Sequence, residues 1–369
     1  MDEKKLKAIE RVKEEIARID KKENNVYFFV IDTKGIASGS LEYIYRLAKF
    51  AKEGGYNVSM LYQTEKEDTF VGVEDWLGKE YSELPHKNIA SDEVQLGPSD
   101  ILFIPEIFSN VMNQTKKLPC KRVAILQNYD YLLEQMPFAA QWGDFGIMEC
   151  VTNTEYNAEL IKDIFPYVRT TVVQPCISKL FGTTAEPKKM VVNIVASDQS
   201  DINKIIKPFY WKFPTFKWVS FRDLRGFTKE GFANALREGA ITIWVDDKTS
   251  FGYSAIEAMK SGSIVIAKIP DNPLPWMEAD DSKETGLLRN CCVWFDDFHT
   301  VQRQIASVIR SWTTNSVPQD IFDESKKVYD KYTENTTNAE FIEYLKKTID
   351  GRKMELENLI TTYEKENND

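Results

Sequence analysis

Short apolar runs alternate with amphipathic stretches twice along this chain, and that alternation restricts the fold more than any other feature of the sequence. The first run, VYFFVID at 26–32, is nearly apolar throughout and rich in residues that favour strands. A glycine-containing loop, TKGIASGS, follows it, and then an amphipathic stretch that ends at Gly54 and Gly55, as helices commonly do. The next run, NVSMLYQ, predicts a second strand. Strand, glycine loop, helix and strand in this order are typical of the opening of a doubly wound parallel sheet.

The alternation continues through two regions that each have the length of a domain. In the first region, further strands are predicted at 100–105, 122–127, 146–153 and 170–175. In the second, strands are predicted at 190–197, 215–221, 240–245, 263–267 and 291–295, with helices at 201–212, 228–238 and 252–261. Between the regions lies 177–189, where glycine, proline and charge predict a linker. The predicted fold class is therefore α/β, with two Rossmann-like doubly wound parallel-sheet domains at 25–176 and 190–337.

Both ends of the chain predict helices outside these two domains. Residues 1–24 are charged and carry a stripe of apolar positions at helical spacing. The stripe comprises Leu6, Ile9, Val12, Ile16 and Ile19. Such a helix could pack on its own domain, or it could dock an oligomer or a protein partner. Residues 338–369 predict further helices and a polar tail.

Composition excludes several classes of function. The formal net charge of −10 makes the chain poorly suited to coat nucleic acid. The five cysteines are odd in number and show no C-x-x-C spacing, which predicts buried free thiols rather than a zinc site. No apolar run approaches the roughly 20 residues of a membrane-spanning helix, and the first residues lack the apolar core of a signal peptide. We therefore expect a cytoplasmic protein with at most peripheral membrane contact.

Four stretches of the sequence resemble the GT-B glycosyltransferases, and among them the retaining family 4. They are GIASGSLEYIYRLAKFAKEGGYNVSMLY at 35–62, VTNTEYNAELIKDIFP and VVQPCISKLF within 151–181, FKWVSFRDLRGFTKEGFANALREGAITIWV at 216–245, and TSFGYSAIEAMKSGSIVIA at 249–267. The last is the most specific, because a match there requires small, acidic and apolar positions to agree within one short segment. The resemblance implies two domains that face each other across a cleft, the first for an acceptor and the second for a nucleotide-sugar donor. It also implies that the final helix crosses back to the first domain.

The fourth stretch places a donor site at the start of a predicted helix. The first N–H groups of a helix lack partners and carry positive partial charge, which suits a diphosphate, and Gly252 lets the backbone approach it closely. The family motif has two glutamates separated by seven residues. Glu257 matches the second, so the resemblance implies that it binds the ribose hydroxyls, whereas Thr249 replaces the first, which touches the transferred sugar. The donor-binding residues predicted here are Phe251, Gly252, Tyr253, Ser254 and Glu257.

Two other segments of the second domain are implied to contact the donor. In the family, an arginine and a lysine follow the first strand of this domain and stabilise the leaving diphosphate. Here the arginine is missing near Ser197, and Lys204 lies close to the expected lysine. The segment with Arg222, Asp223 and Leu224 resembles the loop that reads the nucleotide base.

The first domain offers few groups for chemistry. Gly39 and Ser40 can bring backbone N–H and hydroxyl groups to the cleft, and we expect them to contribute to binding of the nucleotide-sugar donor. The two histidines, His86 and His299, lie outside strand ends, so Asp130 is the one candidate base. This scarcity favours retention of configuration, in which the leaving phosphate itself can take the proton of the acceptor.

Neither of two acidic pairs has the one-residue gap of a metal-binding Asp-x-Asp motif. They are Asp280 with Asp281 and Asp296 with Asp297. The second pair precedes a predicted helix and is expected to cap it. We therefore expect no metal and no cofactor.

Together these features predict transfer of a sugar, by a hexosyltransferase-like enzyme, from a nucleoside-diphosphate sugar to an acceptor. The candidate catalytic residues are Lys204, Asp130 and Thr249. The acceptor could be a glycan, a lipid-linked sugar or a protein. The missing arginine and Thr249 also support an alternative, a non-catalytic GT-B partner or scaffold protein that has lost turnover.

Overall fold

The computed structural model describes residues 3–64, 73–279 and 287–365. The chain divides into two compact units. Unit 1 comprises Met1–Glu74, Lys79–Gln174 and Asn335–Asp369, and unit 2 comprises Asp75–Gly78 and Pro175–Glu334. Each unit contains one parallel sheet with helices, which confirms the predicted fold class.

Unit 1 is built on a seven-stranded parallel sheet. Its strands are β1 (Asn25–Phe29), β2 (Asn57–Tyr62), β3 (His86–Asn88), β4 (Ile101–Pro105), β5 (Lys121–Leu126), β6 (Glu149–Thr152) and β7 (Arg169–Val172). Their order across the sheet is β3-β2-β1-β4-β5-β6-β7, so the direction of winding reverses between β1 and β4. The sequence did not predict β3, because its three half-buried residues at the sheet edge form no apolar run.

Unit 2 has a five-stranded parallel sheet. Its strands are β8 (Lys189–Ala196), β9 (Ser220–Asp223), β10 (Gly239–Val245), β11 (Ile264–Lys268) and β12 (Val293–Phe295), in the order β12-β11-β10-β8-β9. The strand predicted at 215–221 was misplaced. Pro214 begins a short helical turn, Pro214–Phe216, because proline suits the first position of a helix and cannot donate to a ladder, and the strand starts only at Ser220.

Helices cover the sheets of both units. Those of the described residues are α1 (Glu3–Asp20), α2 (Gly39–Glu53), α3 (Val73–Trp76), α4 (Ser109–Gln114), α5 (Tyr129–Gln135), α6 (Glu155–Ile164), α7 (Gln199–Lys212), α8 (Lys229–Glu238), α9 (Tyr253–Lys260), α10 (Val301–Thr313), α11 (Asp320–Lys331) and α12 (Glu334–Lys365). None of them is long and apolar enough to cross a membrane.

The core of unit 1 includes helices from both ends of the chain. Phe28 on β1 stacks on Phe103 on β4 with ring centroids 4.7 Å apart, and Phe341 on α12 packs against both rings. At the other end of the chain, three of the five residues in the apolar stripe of α1 are buried, namely Ile9, Val12 and Ile19, whereas Leu6 is 43% exposed. An ion pair between Arg18 and Asp100, with Nη2 and Oδ1 at 3.2 Å, also fixes α1 within unit 1. The other predicted role of this helix, as a docking surface, stays a prediction.

The core of unit 2 lies on the two faces of its sheet. One face packs Trp244, Phe251 and Ile256, and the other packs Ile243 with residues of α7 and α10. The stretch predicted as a linker, 177–189, starts inside the first of these clusters, because Ile177 and Phe181 are both buried there. All five cysteines are buried and free, as the sequence predicts.

Candidate functional site

The junction between β10 and α9 positions the residues of the most specific motif. β10 is buried along its whole length, and the chain then turns into α9 through Gly252, whose φ of 75° lies in the left-handed region. A Cβ atom at Gly252 would lie 3.1 Å from Cζ2 of Trp276. The Gly252 N–H donates to Oγ1 of Thr249 at 3.0 Å. Glycine is therefore needed here both for its backbone conformation and for its lack of a side chain.

Glu257 is held in place by a buried lysine that the sequence analysis did not identify. Lys229 Nζ lies 2.6 Å from Glu257 Oε1, and Glu257 is only 2% exposed. The Lys229 ammonium also lies 4.9 Å from the ring centroid of Phe181. Lys229 is the first residue of α8, where the helix dipole disfavours a cation. That unfavourable position is the one sequence signal that could have indicated a special role.

The loop between β10 and α9 carries another carboxyl group, that of Asp246, and its pKa is shifted. Burial, and secondarily the charge of Asp247, raises the pKa of Asp246 to about 6. Hydrogen bonds from Lys248 and Thr249 act in the opposite direction. Thr249 thus bridges Asp246 and the Gly252 N–H, so it orders the loop.

Lys204 lies on α7 with its side chain half exposed. Its Nζ atom pairs with Asp201 Oδ1 at 2.8 Å and lies 4.9 Å from the ring centroid of Phe298. The Asp201 hydrogen bond is the main reason why the pKa of Lys204 is raised. The candidate catalytic cation is therefore charged, and it is engaged by an acidic neighbour on its own helix.

The three residues predicted to read a base diverge in the structure. Arg222 pairs with Glu238 at the end of α8, with Nη2 and Oε2 at 2.6 Å, which turns it toward the amino-terminal edge of the sheet. Leu224 is buried in the same core cluster as Phe251. Asp223 instead binds Arg225, whose Nε lies 3.1 and 3.0 Å from its two carboxylate oxygens. Leu224 and Asp223 thus stay at the carboxyl edge and Arg222 does not.

Arg225 is a cation at this edge that the sequence analysis did not single out. Besides Asp223, it hydrogen-bonds Gln199, the first residue of α7. It therefore lies at the helix start that follows β8, which is where the resemblance calls for an arginine near Ser197. The signal in the sequence was weak, because Arg225 belongs to a different loop from the one in which the family carries its arginine.

In unit 1, Ser40 opens onto a cavity and Asp130 does not line it. α2 begins at Gly39, and Oγ of its capping residue Ser38 accepts the Leu41 N–H at 3.1 Å. Ser38 and Ser40 both line a cavity of about 460 Å3. The Asp130 N–H donates to Asn128 Oδ1 at 2.9 Å at the start of α5.

Glu106 is the residue of this cavity that the sequence analysis missed. It follows β4 directly, lines the cavity and is 3% exposed. Its Oε1 accepts the N–H groups of Gln127 at 3.1 Å and Asn128 at 2.8 Å. Burial raises the pKa of Glu106 to about 7, against the effect of these hydrogen bonds. A glutamate directly after the apolar run DILFIP was the available signal.

The acidic pairs considered for a metal give no metal site among the described residues. Asp280 and Asp281 lie outside the described residues. Asp297 Oδ1 accepts the N–H groups of His299 and Thr300 just before α10. The N-cap residue of α10 is Thr300 and no described side chain caps this helix, so the capping role predicted for the pair is wrong. Across the part of the chain that the structure describes, no group of three or more His, Cys, Asp or Glu side chains could hold a metal ion.

Comparison with solved structures gives the class of the fold. The sucrose-phosphate synthase of Thermosynechococcus elongatus is similar over 89% of this chain and 100% of its own, with a TM-score of 0.60 and 9% identity. A mutant of TarM from S. aureus, in complex with fondaparinux, α-GlcNAc-glycerol and UDP, is similar over 87% and 99%, with a TM-score of 0.62 and 7% identity. HepE of Anabaena, in complex with UDP-glucose, is similar over 88% and 99%, with a TM-score of 0.57 and 11% identity. The chain has the GT-B glycosyltransferase fold.

One curated protein is similar in sequence. It is an alpha-1,6-glucosyltransferase of Actinobacillus pleuropneumoniae serotype 7, 24% identical over 298 aligned residues, and the match covers 74% of this chain and 84% of that protein. No protein-family model matches the chain.

Proposed function

We propose that this protein is a glycosyltransferase that moves a sugar from a nucleoside-diphosphate sugar to an acceptor hydroxyl. The observation that carries the proposal is the β10–α9 junction, which folds as strand, loop and helix. Glu257 matches the second glutamate of the GT-B donor motif there, Gly252 lies at the helix start, and Thr249 replaces the first glutamate. The GT-B fold and the sequence similarity to a glucosyltransferase support it.

In this proposal the donor lies along the carboxyl edge of the unit 2 sheet. The diphosphate faces the amino end of α9, where the first N–H groups of a helix favour an anion. Tyr253 and Ser254 form the first turn of that helix, and Phe251, whose ring is buried in the core of unit 2, precedes it. Glu257 accepts hydrogen bonds from the ribose hydroxyls, and Lys229 holds the carboxylate charged and in a fixed orientation.

The leaving diphosphate requires positive charge, because negative charge develops on it as the bond to the sugar breaks. Arg225, which hydrogen-bonds Gln199 at the start of α7, replaces the missing family arginine in this scheme, and Lys204 is the second cation. Transfer proceeds with retention. The bond between sugar C1 and the diphosphate oxygen breaks, the acceptor oxygen bonds to C1 on the same face, and the acceptor's proton passes to the diphosphate.

A nucleotide screen followed by donor hydrolysis tests the proposal. UDP, GDP and ADP are added separately, and the one that binds raises the melting temperature, since a ligand of the folded state stabilises it. The matching nucleotide-sugars are then assayed for release of nucleoside diphosphate. Glu257→Gln is expected to lower nucleotide affinity at least about tenfold, which corresponds to about 1.4 kcal/mol. Glu230→Gln, an exposed neighbour of Lys229 on α8, serves as the matched control and should bind like the wild type.

A second candidate function is a non-catalytic GT-B protein that still binds nucleotide or acts as a scaffold. It is favoured by the engagement of Lys204 with Asp201 and by the absence of an arginine directly after β8. Nucleotide binding without release of nucleoside diphosphate from any common donor would support this candidate. No binding of any nucleotide by the folded protein would refute the proposed transferase.

A further inference from the structure

A cavity of about 460 Å3 in unit 1 lies where the winding of the seven-stranded sheet reverses. Its walls come from residues that follow β1, β4 and β5 and from the start of α2, so it sits at the carboxyl ends of neighbouring strands. In open parallel sheets this switch point is the usual position of a ligand. The volume falls within the range of about 300–1,000 Å3 that is typical of small-molecule sites.

Hydrogen bonds to the backbone fix the position of the Glu106 carboxyl group in this cavity. Two backbone N–H groups, from Gln127 and Asn128, fix its Oε1. The backbone that carries them is itself fixed, because Asn153 Nδ2 and Asn157 Nδ2 each donate to the Gln127 carbonyl at 3.1 Å. A buried carboxyl group is costly, and a network of this kind orients it for a ligand.

The lining of the cavity selects the charge of that ligand. Among the described residues that line it, two are glutamates, Glu106 and Glu134, and none is lysine, arginine or histidine. A phosphate or a carboxylate would be repelled by Glu134 and would find no cationic side chain, and at the start of α2 the Leu41 N–H is already bound by Ser38 Oγ. Ser38 and Ser40 offer hydroxyl groups, whereas Leu41, Ile44 and Phe108 form an apolar wall. An uncharged ligand that has both hydroxyl groups and an apolar face is complementary to this lining.

We propose that the cavity binds the acceptor, that the acceptor presents a neutral saccharide there, and that Glu106 is the residue that positions one of its hydroxyl groups. This inference rests on the proposed transferase function, to which it adds the chemical class of the acceptor.

The proton affinity of Glu106 agrees with a hydroxyl partner. Its pKa of about 7 lets the carboxyl group occur in both protonation states near neutral pH. A hydroxyl both donates and accepts, so it can bond to either state, whereas an anion cannot bond to the ionised one. The other titratable groups near it are Glu134 and Tyr131 on α5 and the Cys150 thiol on β6.

Binding of simple sugars in the absence of nucleotide tests the proposal. The probes are the neutral methyl glycosides of glucose, galactose, mannose and N-acetylglucosamine, with glucuronate and glucose 6-phosphate as anionic counterparts. Saturation-transfer NMR at millimolar ligand is expected to detect at least one neutral glycoside and to show weaker binding of both anions. Glu106→Gln keeps the shape of the side chain and is expected to weaken binding at least about tenfold, which is about 1.4 kcal/mol.

Two further variants keep the result interpretable. Ser40→Phe places a large ring at the exposed serine of the cavity without removing a buried group, and it should abolish binding even if Glu106→Gln folds poorly. Glu159→Gln, an exposed residue of α6, is the matched control and should bind like the wild type. Binding that survives both Glu106→Gln and Ser40→Phe, preference for an anion, or no binding of any neutral glycoside would overturn the proposal.

The same experiments separate this inference from the proposed function. Release of nucleoside diphosphate without binding of any glycoside overturns the acceptor assignment and leaves the transferase intact. Glycoside binding at Glu106 in a protein that binds no nucleotide supports the saccharide site and refutes the transferase.

Discussion

Replacing Lys229 by methionine tests how much the buried ion pair with Glu257 matters. Methionine keeps much of the length of the lysine stem and removes the charge. Glu257, which is 2% exposed, then loses the cation 2.6 Å from its Oε1. Removing one partner of a buried pair costs about 3–5 kcal/mol, because a desolvated charge is left behind. Both side chains are at most 10% exposed, so solvent screening does not reduce this figure much.

Urea unfolding followed by tryptophan fluorescence measures this loss. Six of the eight tryptophans, Trp211, Trp218, Trp244, Trp276, Trp294 and Trp312, lie between Pro175 and Glu334, so the signal reports mainly on unit 2. With a urea slope of about 2 kcal/mol per molar, the loss lowers the unfolding midpoint by about 1.5–2.5 M. Lys204→Met, which removes an exposed pair with Asp201, is the control and should shift the midpoint far less.

A double variant decides whether charge pairing is the cause. Replacing Glu257 by methionine as well removes the buried carboxylate that has lost its ion-pair partner. Exchange of both members of a buried ion pair for apolar residues often leaves stability unchanged or raises it. The variant with both changes should therefore recover most of the stability that Lys229→Met loses. If the single variant unfolds at the wild-type midpoint, or if the double variant is as unstable as the single one, the reasoning is refuted.

Three other predictions concern unit 1, α9 and the cysteines. Burial raises the pKa of Glu106 from 4.5 to about 7, so the free energy of unfolding of unit 1 should fall by about 3 kcal/mol as the pH rises from 4.5 to above 7. Chemical unfolding across that pH range should show the loss, and Glu106→Gln should remove most of the pH dependence. Gly252→Ala should destabilise unit 2 by about 1–2 kcal/mol in urea unfolding, because the φ of Gly252 is 75°. Gly182 has open space where a Cβ atom would lie, so Gly182→Ala should change the unfolding midpoint little. Equal midpoints for the two variants would contradict this prediction. The five buried thiols should react with Ellman's reagent only after unfolding, because burial also raises the pKa of Cys120 to about 11; rapid labelling of the native protein would argue against this.

The sequence was sufficient for most of the fold because its central strands are buried on both faces. Runs such as VYFFVID and GAITIWV stay apolar over several residues, and this pattern predicts a buried strand whichever side chains pack against it. The short edge strand β3 has no such run and was missed. The strand after α7 was placed too early, since aromatic residues near Phe216 resemble a strand while Pro214 starts a helical turn.

The candidate site was less predictable because its partners are distant in the chain. Lys229 and Glu257 are 28 residues apart, and nothing local indicates that they meet. Arg222 was expected beside the donor, but the direction of a long side chain depends on which charge lies within reach, and here that charge is Glu238. The buried state of Glu106 likewise depends on the N–H groups of the loop after β5.

The position of α12 in unit 1 has a consequence for how this protein is made. Unit 1 starts at Met1, yet Phe341 fills the space beside Phe28 and Phe103, and all of unit 2 is translated before that ring. A ribosome adds about 5–20 residues per second, so the nascent first unit waits many seconds with part of its interior open to solvent. During synthesis unit 2 can therefore finish folding first, and a chain that stops short of Phe341 would present that apolar surface to chaperones.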